Sequence, residues 1–475
     1  MSAGLFDLGL RLRARAEQRP VLRSGVARCR VRDGGLLVAV AAMPGDHAGL
    51  WAAAASEADG TGRPKTVAVG DPRDWKQQER LWADLWPLLS RATVRCEEAG
   101  TAPQIVVASR PAAELLEAAS SRFIGSDNDN ARRSAELVQF VCQRSMIAGS
   151  QTLIVATEAL AAHVTTGGEA ADEHRLGVLL AWVHASDPAD LAARLAALDG
   201  DIDGEGDDTH TPVDLDRGAL GKKVEALVKA AVRSPQMAET RASSVRTILT
   251  GLLVDRHARL AAAAAAVNGL GLPAMGDLAG FAADDLDAWV QWQSSRDAGY
   301  RVARRDRPAR AAVALTEREE AVDLWARALI WSDPIERARQ ATEGRVIDGT
   351  ADGTWGVTCD GLVRARPGDE FVLWAPDRDG PTVTIVGLDN IGSGTIVHAA
   401  TTAKAAPPPA GTPVQLCPPP PDFGAARRAR IRTARRVRQP HWTHHPDQPP
   451  PPPQPHPNPF TGGDPLTAAR ALRAG

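Results

Sequence analysis

The period of the apolar residues changes along this chain, and that change limits its possible folds more than any other feature. Up to about residue 125, short apolar runs alternate with amphipathic segments. From about Ser126 to Thr342 the helical period dominates, and near Gly344 it gives way to alternation. The segments "GRVIDGT", "TWGVTCD", "GLVRARPGDEFVLW", "PTVTIVGLDN", "GTIVHAA" and "TPVQL" are short strand candidates separated by Gly, Pro and Asp turns. Within them Val383 and Ile385 alternate with Thr382 and Thr384. Five or six such strands in a row predict a small closed or nearly closed β-barrel. A chain of 475 residues is also too long for one ordinary core. The predicted fold class is α+β multidomain: a mixed α/β domain over 1–125, a helical region over 126–342 with an acidic linker at 199–216, a small β-barrel over 343–416, and a disordered tail rich in Pro and Arg over 417–475.

In the first region, "GVARCRVRDGGLLVAVAAM" (25–43) reads as two β-like runs about a Gly-Gly turn, and "KTVAVG" (65–70) as a third strand. "DPRDWKQQERLWADLWPLL" (71–89) becomes helical, and its Trp75, Trp82 and Trp86 fall within about 40° of one another at helical pitch. Such a stripe suits packing against a sheet better than stacking on bases. "PQIVVAS" and "RPAAELLEAAS" add a strand and a helix. The resulting order, strand–strand–strand–helix–strand–helix, resembles a ribonuclease-H-like layout. Nucleases of that layout hold metal ions with carboxylates on the first strand and elsewhere. The first expected strand here, "VARCRV", contains no acid, which implies a degenerate, non-catalytic copy.

Recognisable catalytic signatures are missing. The sequence has no HExxH, no GxSxG and no paired CxxC. "DRGALGKK" (216–223) puts Asp216 where a phosphate loop needs glycine and Lys223 where it needs Ser or Thr. "NGLGLPA" (268–274) follows a helix and reads as its stop. "DGDIDGEGDDTH" opens like a calcium loop at Asp199, Asp201, Asp203 and Gly204, but its twelfth position is His210 where a bidentate Glu is required. A solvated acidic linker is the expectation there, with calcium binding left open and any metal site unknown. His163, His174 and His184 on predicted helices read as ordinary core or surface histidines. No cofactor is expected, and enzymatic activity is not the favoured reading.

Charge is the remaining guide. The net charge is −3, but residues 417–475 carry nine Arg and three Asp, a balance of +6, which leaves −9 on residues 1–416. Seven of those arginines, Arg427, Arg428, Arg430, Arg432, Arg435, Arg436 and Arg438, lie within twelve residues, with Trp442 just beyond. Such a strip gains most from a polyanion, because each phosphate it neutralises releases condensed counterions; the alternative is a solvated solubility tail or one that folds back on the −9 body. Trp442 adds a ring for base stacking. A second basic cluster, "YRVARRDRPAR" (300–310), sets Arg301, Arg304 and Arg305 beside Trp289, Trp292 and Tyr300. It suits single-stranded nucleic acid, although a helix with an aromatic core face and an arginine-rich solvent face explains it more simply.

The expected function is therefore a cytosolic, non-enzymatic protein that binds nucleic acid or a nucleic-acid-processing partner through its arginine clusters. Two alternatives stand beside it. One is a protein-interaction scaffold using the proline-rich tail, with Pro449–Pro453 and the terminal "DPLTAARALR" as docking peptides. The other is a metal-dependent nuclease with dispersed carboxylates. Five scattered cysteines without close pairs fit a reducing, cytoplasmic compartment. The longest apolar run, "LAAAAAAV", is far too short to cross a bilayer, so no membrane partner is expected.

Overall fold

The computed structural model describes residues 3–42, 49–58, 63–203, 223–224, 226–230, 238–299, 308–349, 354–360, 363, 365–374, 380–391, 394–401 and 408–437. The chain divides into two compact units, Met1–Val302 with Ala321–Phe423, and Ala303–Glu320 with Gly424–Gly475.

In chain order the elements are helix α1 (Ala3–Glu17); strands β1 (Val21–Leu22), β2 (Leu36–Ala42), β3 (Leu50–Glu57) and β4 (Lys65–Ala68); helix α2 (Trp75–Glu98); strand β5 (Ile105–Val107); helices α3 (Arg110–Ser121) and α4 (Asp129–Arg144); and strand β6 (Leu153–Val155). Helix α5 (Ala156–His163), strand β7 (Val164–Thr165) and helices α6 (Leu176–His184), α7 (Pro188–Asp203), α8 (Ala238–Gly269), α9 (Leu278–Asp297), α10 (Pro308–Ser332) and α11 (Pro334–Gln340) follow. Strands β8 (Thr342–Gly349), β9 (Thr354–Cys359), β10 (Glu370–Trp374), β11 (Thr382–Ile391), β12 (Gly394–Thr401) and β13 (Pro413–Cys417) come next, and helix α12 (Phe423–Val437) ends the described chain.

The first sheet has five strands in the order β4-β3-β2-β5-β6. β2, β3 and β4 form an antiparallel meander, and β5 and β6 run parallel to β2. Every residue of β2 is buried. Its neighbouring residues serve two separate clusters: Leu36 packs with Leu81, Trp82 and Leu116, while Leu37 packs with Val106, Leu160, Leu179 and Leu260. A sheet covered by helices on both faces reads as a continuous apolar run rather than as alternation.

The expected hairpin over 25–43 is corrected here. Only its second run forms a strand, and β2 pairs with β3, which the sequence reading left unassigned. Residues around 28–32 instead satisfy their backbone groups through distant side chains. Gln104 Oε1 accepts from the Arg32 N–H at 2.9 Å and its Nε2 donates to the Arg30 carbonyl at 3.1 Å. Asn268 likewise accepts from the Val31 N–H and donates to its carbonyl. Paired that way, the segment needs no strand partner. Gly35 sits where a Cβ would come within 2.8 Å of Gln104 Oε1 and 2.9 Å of the Arg32 carbonyl, so the turn accepts no side chain. In β3, Ala52, Ala53, Ala54 and Ala55 are at most 1% exposed, which makes alanine useful in a strand flanked closely on both sides.

The core also continues past the boundary drawn at residue 125. Ala131, Ala135, Val138 and Phe140 of α4 share one cluster with Trp82, and β6 completes the sheet at residues 153–155. α8 brings Val245, Leu249 and Leu253 into that cluster and Leu260 and Ala263 into the second. Two buried ion clusters tie distant segments together. Arg144 Nε donates to Asp285 at 2.7 Å, and its guanidinium also pairs with Asp284. Asp285 accepts from the Gln151 N–H as well. Arg28 bridges Asp333 and Glu336 at 3.2 and 2.8 Å, and Ser24 donates to Asp333 at 2.7 Å.

Six strands, one in each of the expected segments, close into a barrel in the order β10-β11-β12-β9-β8-β13. Val383 and Ile385 point inward, at 0% and 1% exposure, beside Trp355, Val357, Leu373, Val397 and Leu416. The alternation visible in the sequence is the alternation of barrel interior and exterior. No helix among the described residues is long and apolar enough to cross a membrane.

Two segments depart from the sequence reading. The acidic stretch does not begin as a loop, because α7 continues through Asp203, so Asp199, Asp201 and Asp203 lie on helical backbone. Gly204 and His210 lie outside the described residues. The tail expected to be unfolded from 417 is helical from Phe423 to Val437.

Candidate anion-binding surface

Helix α12 follows directly on "PPPPD". Asp422 places a negative charge at the helix N-terminus, where the backbone dipole favours it. Alanine and arginine are both strong helix formers, and together they supply ten of the fifteen residues. Against this stands repulsion between like charges four residues apart, such as Arg428 and Arg432, of about 0.2–0.5 kcal/mol per pair.

The first part of α10 offsets that repulsion. Arg430 donates to Glu317 Oε1 at 3.1 Å, with the two side chains 22% and 27% exposed. Glu320 is half-buried beside Arg430 and Arg432, and burial holds its carboxyl above the usual range, with Arg430 opposing that shift. Its Oε2 accepts no hydrogen bond from the described residues. The two acids belong to "TEREEAVD", whose spacing of three was the available signal for this pairing.

Burial divides α12 into two faces. Ala425, Ala426, Ala429, Arg430 and Thr433 are partly covered. Arg427, Arg428, Ile431 and Arg432 are exposed. At roughly 100° per residue the four exposed positions span about 140° of the circumference, and the covered ones occupy the complementary side. The cationic strip is thus helical, with Arg427, Arg428 and Arg432 exposed and Arg430 partly covered and paired with Glu317.

The other expected site residues fare differently. Arg438, Trp442, Arg301, Arg304 and Arg305 lie outside the described residues, as do Tyr300, Pro449–Pro453 and the terminal "DPLTAARALR". The aromatic half of the second cluster is placed in the core. Trp289 is 3% exposed and donates to Glu97 at 3.1 Å, and Trp292 stacks on it at 4.8 Å. Phe140 packs against both rings. In α2, Trp82 is fully buried, while Trp75 is half-exposed and stacks on Phe123 at 4.3 Å.

The remaining chemistry-bearing residues assemble no centre that the geometry supports. His163 is buried: its Nε2 accepts from the Arg28 N–H at 2.7 Å, its Nδ1 donates to the Ala159 carbonyl, and burial keeps its pKa low. His174 and His184 are exposed at separate places. Burial pushes the Cys29 and Cys142 thiols up to about 12 and those of Cys359 and Cys417 to about 11, so they are poor nucleophiles near neutral pH. Among the described residues no group of three or more His, Cys, Asp or Glu is arranged to hold a metal ion. β2, the strand to which β5 runs parallel, is "LLVAVAA", without a carboxylate.

No family model matches the chain, and neither the curated proteins nor the solved structures contain a match to it.

Proposed function

We propose that this chain binds nucleic acid, or a partner that processes it, through the arginine face of α12, and that it does so without catalysis of its own. The observation that supports this reading is the exposed set Arg427, Arg428 and Arg432 on one side of an ordered helix. An ordered face presents several guanidinium groups together, and each can donate bidentate hydrogen bonds to phosphate. Five free cysteines accord with a cytoplasmic setting for such a protein.

The direct experiment is electrophoretic retention of DNA and RNA by the full chain and by a chain ending after Phe423. The cut belongs there and not at 417, because Leu416 lies in the barrel core, Trp331 donates to the Pro418 carbonyl, and Phe423 packs on Phe281. Retention by the full chain at low salt and its loss on truncation is the expected result. Absence of retention at low salt by the full chain contradicts the proposal.

A second reading, an acidic protein partner on the same face, draws on the Arg430–Glu317 pair, in which α12 already engages a carboxylate. Co-purification of an acidic protein in nuclease-treated extract, lost on the same truncation, distinguishes it.

A further inference from the structure

Resting on the reading above, we infer that the ligand of the α12 face is double-helical DNA, entered along the major groove. Three features of the face lead there. Its exposed arc carries Arg427, Arg428, Ile431 and Arg432 and no aromatic ring. Single-strand binders rely on rings to stack on unpaired bases; of the tryptophans beside the basic clusters, Trp289 and Trp292 are packed against each other and Phe140, and Trp442 lies outside the described residues.

The second feature is size. A helix with its side chains is about 10–12 Å across, which matches the roughly 12 Å width of the B-form major groove. The deep, narrow major groove of double-stranded RNA does not admit such an element. From Arg427 to Arg432 the helix rises about 7.5 Å.

The third feature is the arrangement within the arc. Arg427 lies at one edge and Arg432 at the other, about 140° apart, with Ile431 between them. Ile431 is 47% exposed although isoleucine is among the residues most often fully buried. Seated in the groove, the edge arginines reach phosphates on the two walls. Ile431 then faces the base edges, where the thymine methyl group is the apolar feature available to it. Arginine is a good partner for guanine edges as well, whereas adenine is read by Asn or Gln, which the exposed arc lacks. The expected specificity is therefore weak.

Fluorescence anisotropy tests this with the full chain and four labelled probes: a 20-base-pair DNA duplex, each of its strands alone, and an RNA duplex of the same sequence. The DNA duplex is expected to bind at least about tenfold more tightly than either strand or the RNA duplex. The variant R427Q/R428Q/R432Q is expected to weaken binding steeply, and R427K/R428K/R432K to restore most of it, with helical circular dichroism unchanged in both. Equal or tighter binding of a single strand or of RNA overturns the duplex assignment and leaves the polyanion reading in place. No binding of any probe overturns both. Binding of the duplex undiminished in the glutamine variant removes α12 as the site.

Discussion

Arginine plays two different parts in two regions of this molecule. In the first unit Arg28 and Arg144 are 16% and 7% exposed, and each clamps two carboxylates. Arg296 lies over Trp292 at 4.9 Å and pairs with Glu136 at 2.8 Å. On α12, by contrast, Arg427, Arg428 and Arg432 stand exposed, and Arg430 is the one turned toward Glu317. The first arrangement joins distant segments of one chain, and the second presents charge outward. Counting arginines does not separate the two, but burial does.

The comparison is most sharply broken by substitution at its buried end. Arg144→Met strips the fully buried Asp285 of its charged partner, and the expected loss is about 3–5 kcal/mol of stability in urea unfolding. A loss below about 1 kcal/mol makes the buried clamp no different from a surface pair.

Proton linkage is the next largest effect. Burial lowers the pKa of His163 and of His257, whose Nε2 lies 3.0 Å from Ser56 Oγ. In the unfolded chain both titrate near 6.5. Below that pH the unfolded state takes up protons that the folded state refuses, so stability is present above about 6.5 and declines as pH falls. The thermal midpoint should therefore drop between pH 7 and pH 5, and the drop should be shallower in the variant H163Q/H257Q, whatever its absolute stability. An unchanged slope assigns the linkage to other groups.

The smallest expected effects lie at the exposed end. Glu317→Gln removes one partly exposed pair and should cost about 0.2–1 kcal/mol, read as faster amide exchange in α12 with no change in the barrel. R427Q/R428Q/R432Q should alter global stability by no more than about 0.5 kcal/mol. A large destabilisation there would mean that these arginines hold the fold together, as Arg144 does.

How much of this was legible in the sequence varied with the source of the stabilising contacts. The barrel was readable because its pattern is local: Val383 and Ile385 against Thr382 and Thr384 give the inside and outside of a strand directly. β3 was not. Its run Ala52–Ala55 favours a helix in isolation, and it becomes a strand through pairing with β2 and β4 under cover of α8 from almost two hundred residues away. The segment around residues 28–32 had strand composition, but Gln104 and Asn268 took its backbone groups. In α12 the density of arginine suggested an unfolded tail. The available countersignal was Ala425, Ala426 and Ala429 gathered on one side, opposite the charges. Of the candidate site, sequence supplied the arginines, while the pairing of Arg430 with Glu317 required the fold to bring α10 beside them.

The central claim, that the exposed face of α12 neutralises phosphates, is tested most directly by the salt dependence of DNA duplex binding. Each phosphate contact contributes about −0.9 to the slope of log K against log salt concentration. The full chain should give a steep slope, and R427Q/R428Q/R432Q should flatten it by about 2.7. Parallel slopes for the two proteins would contradict the account.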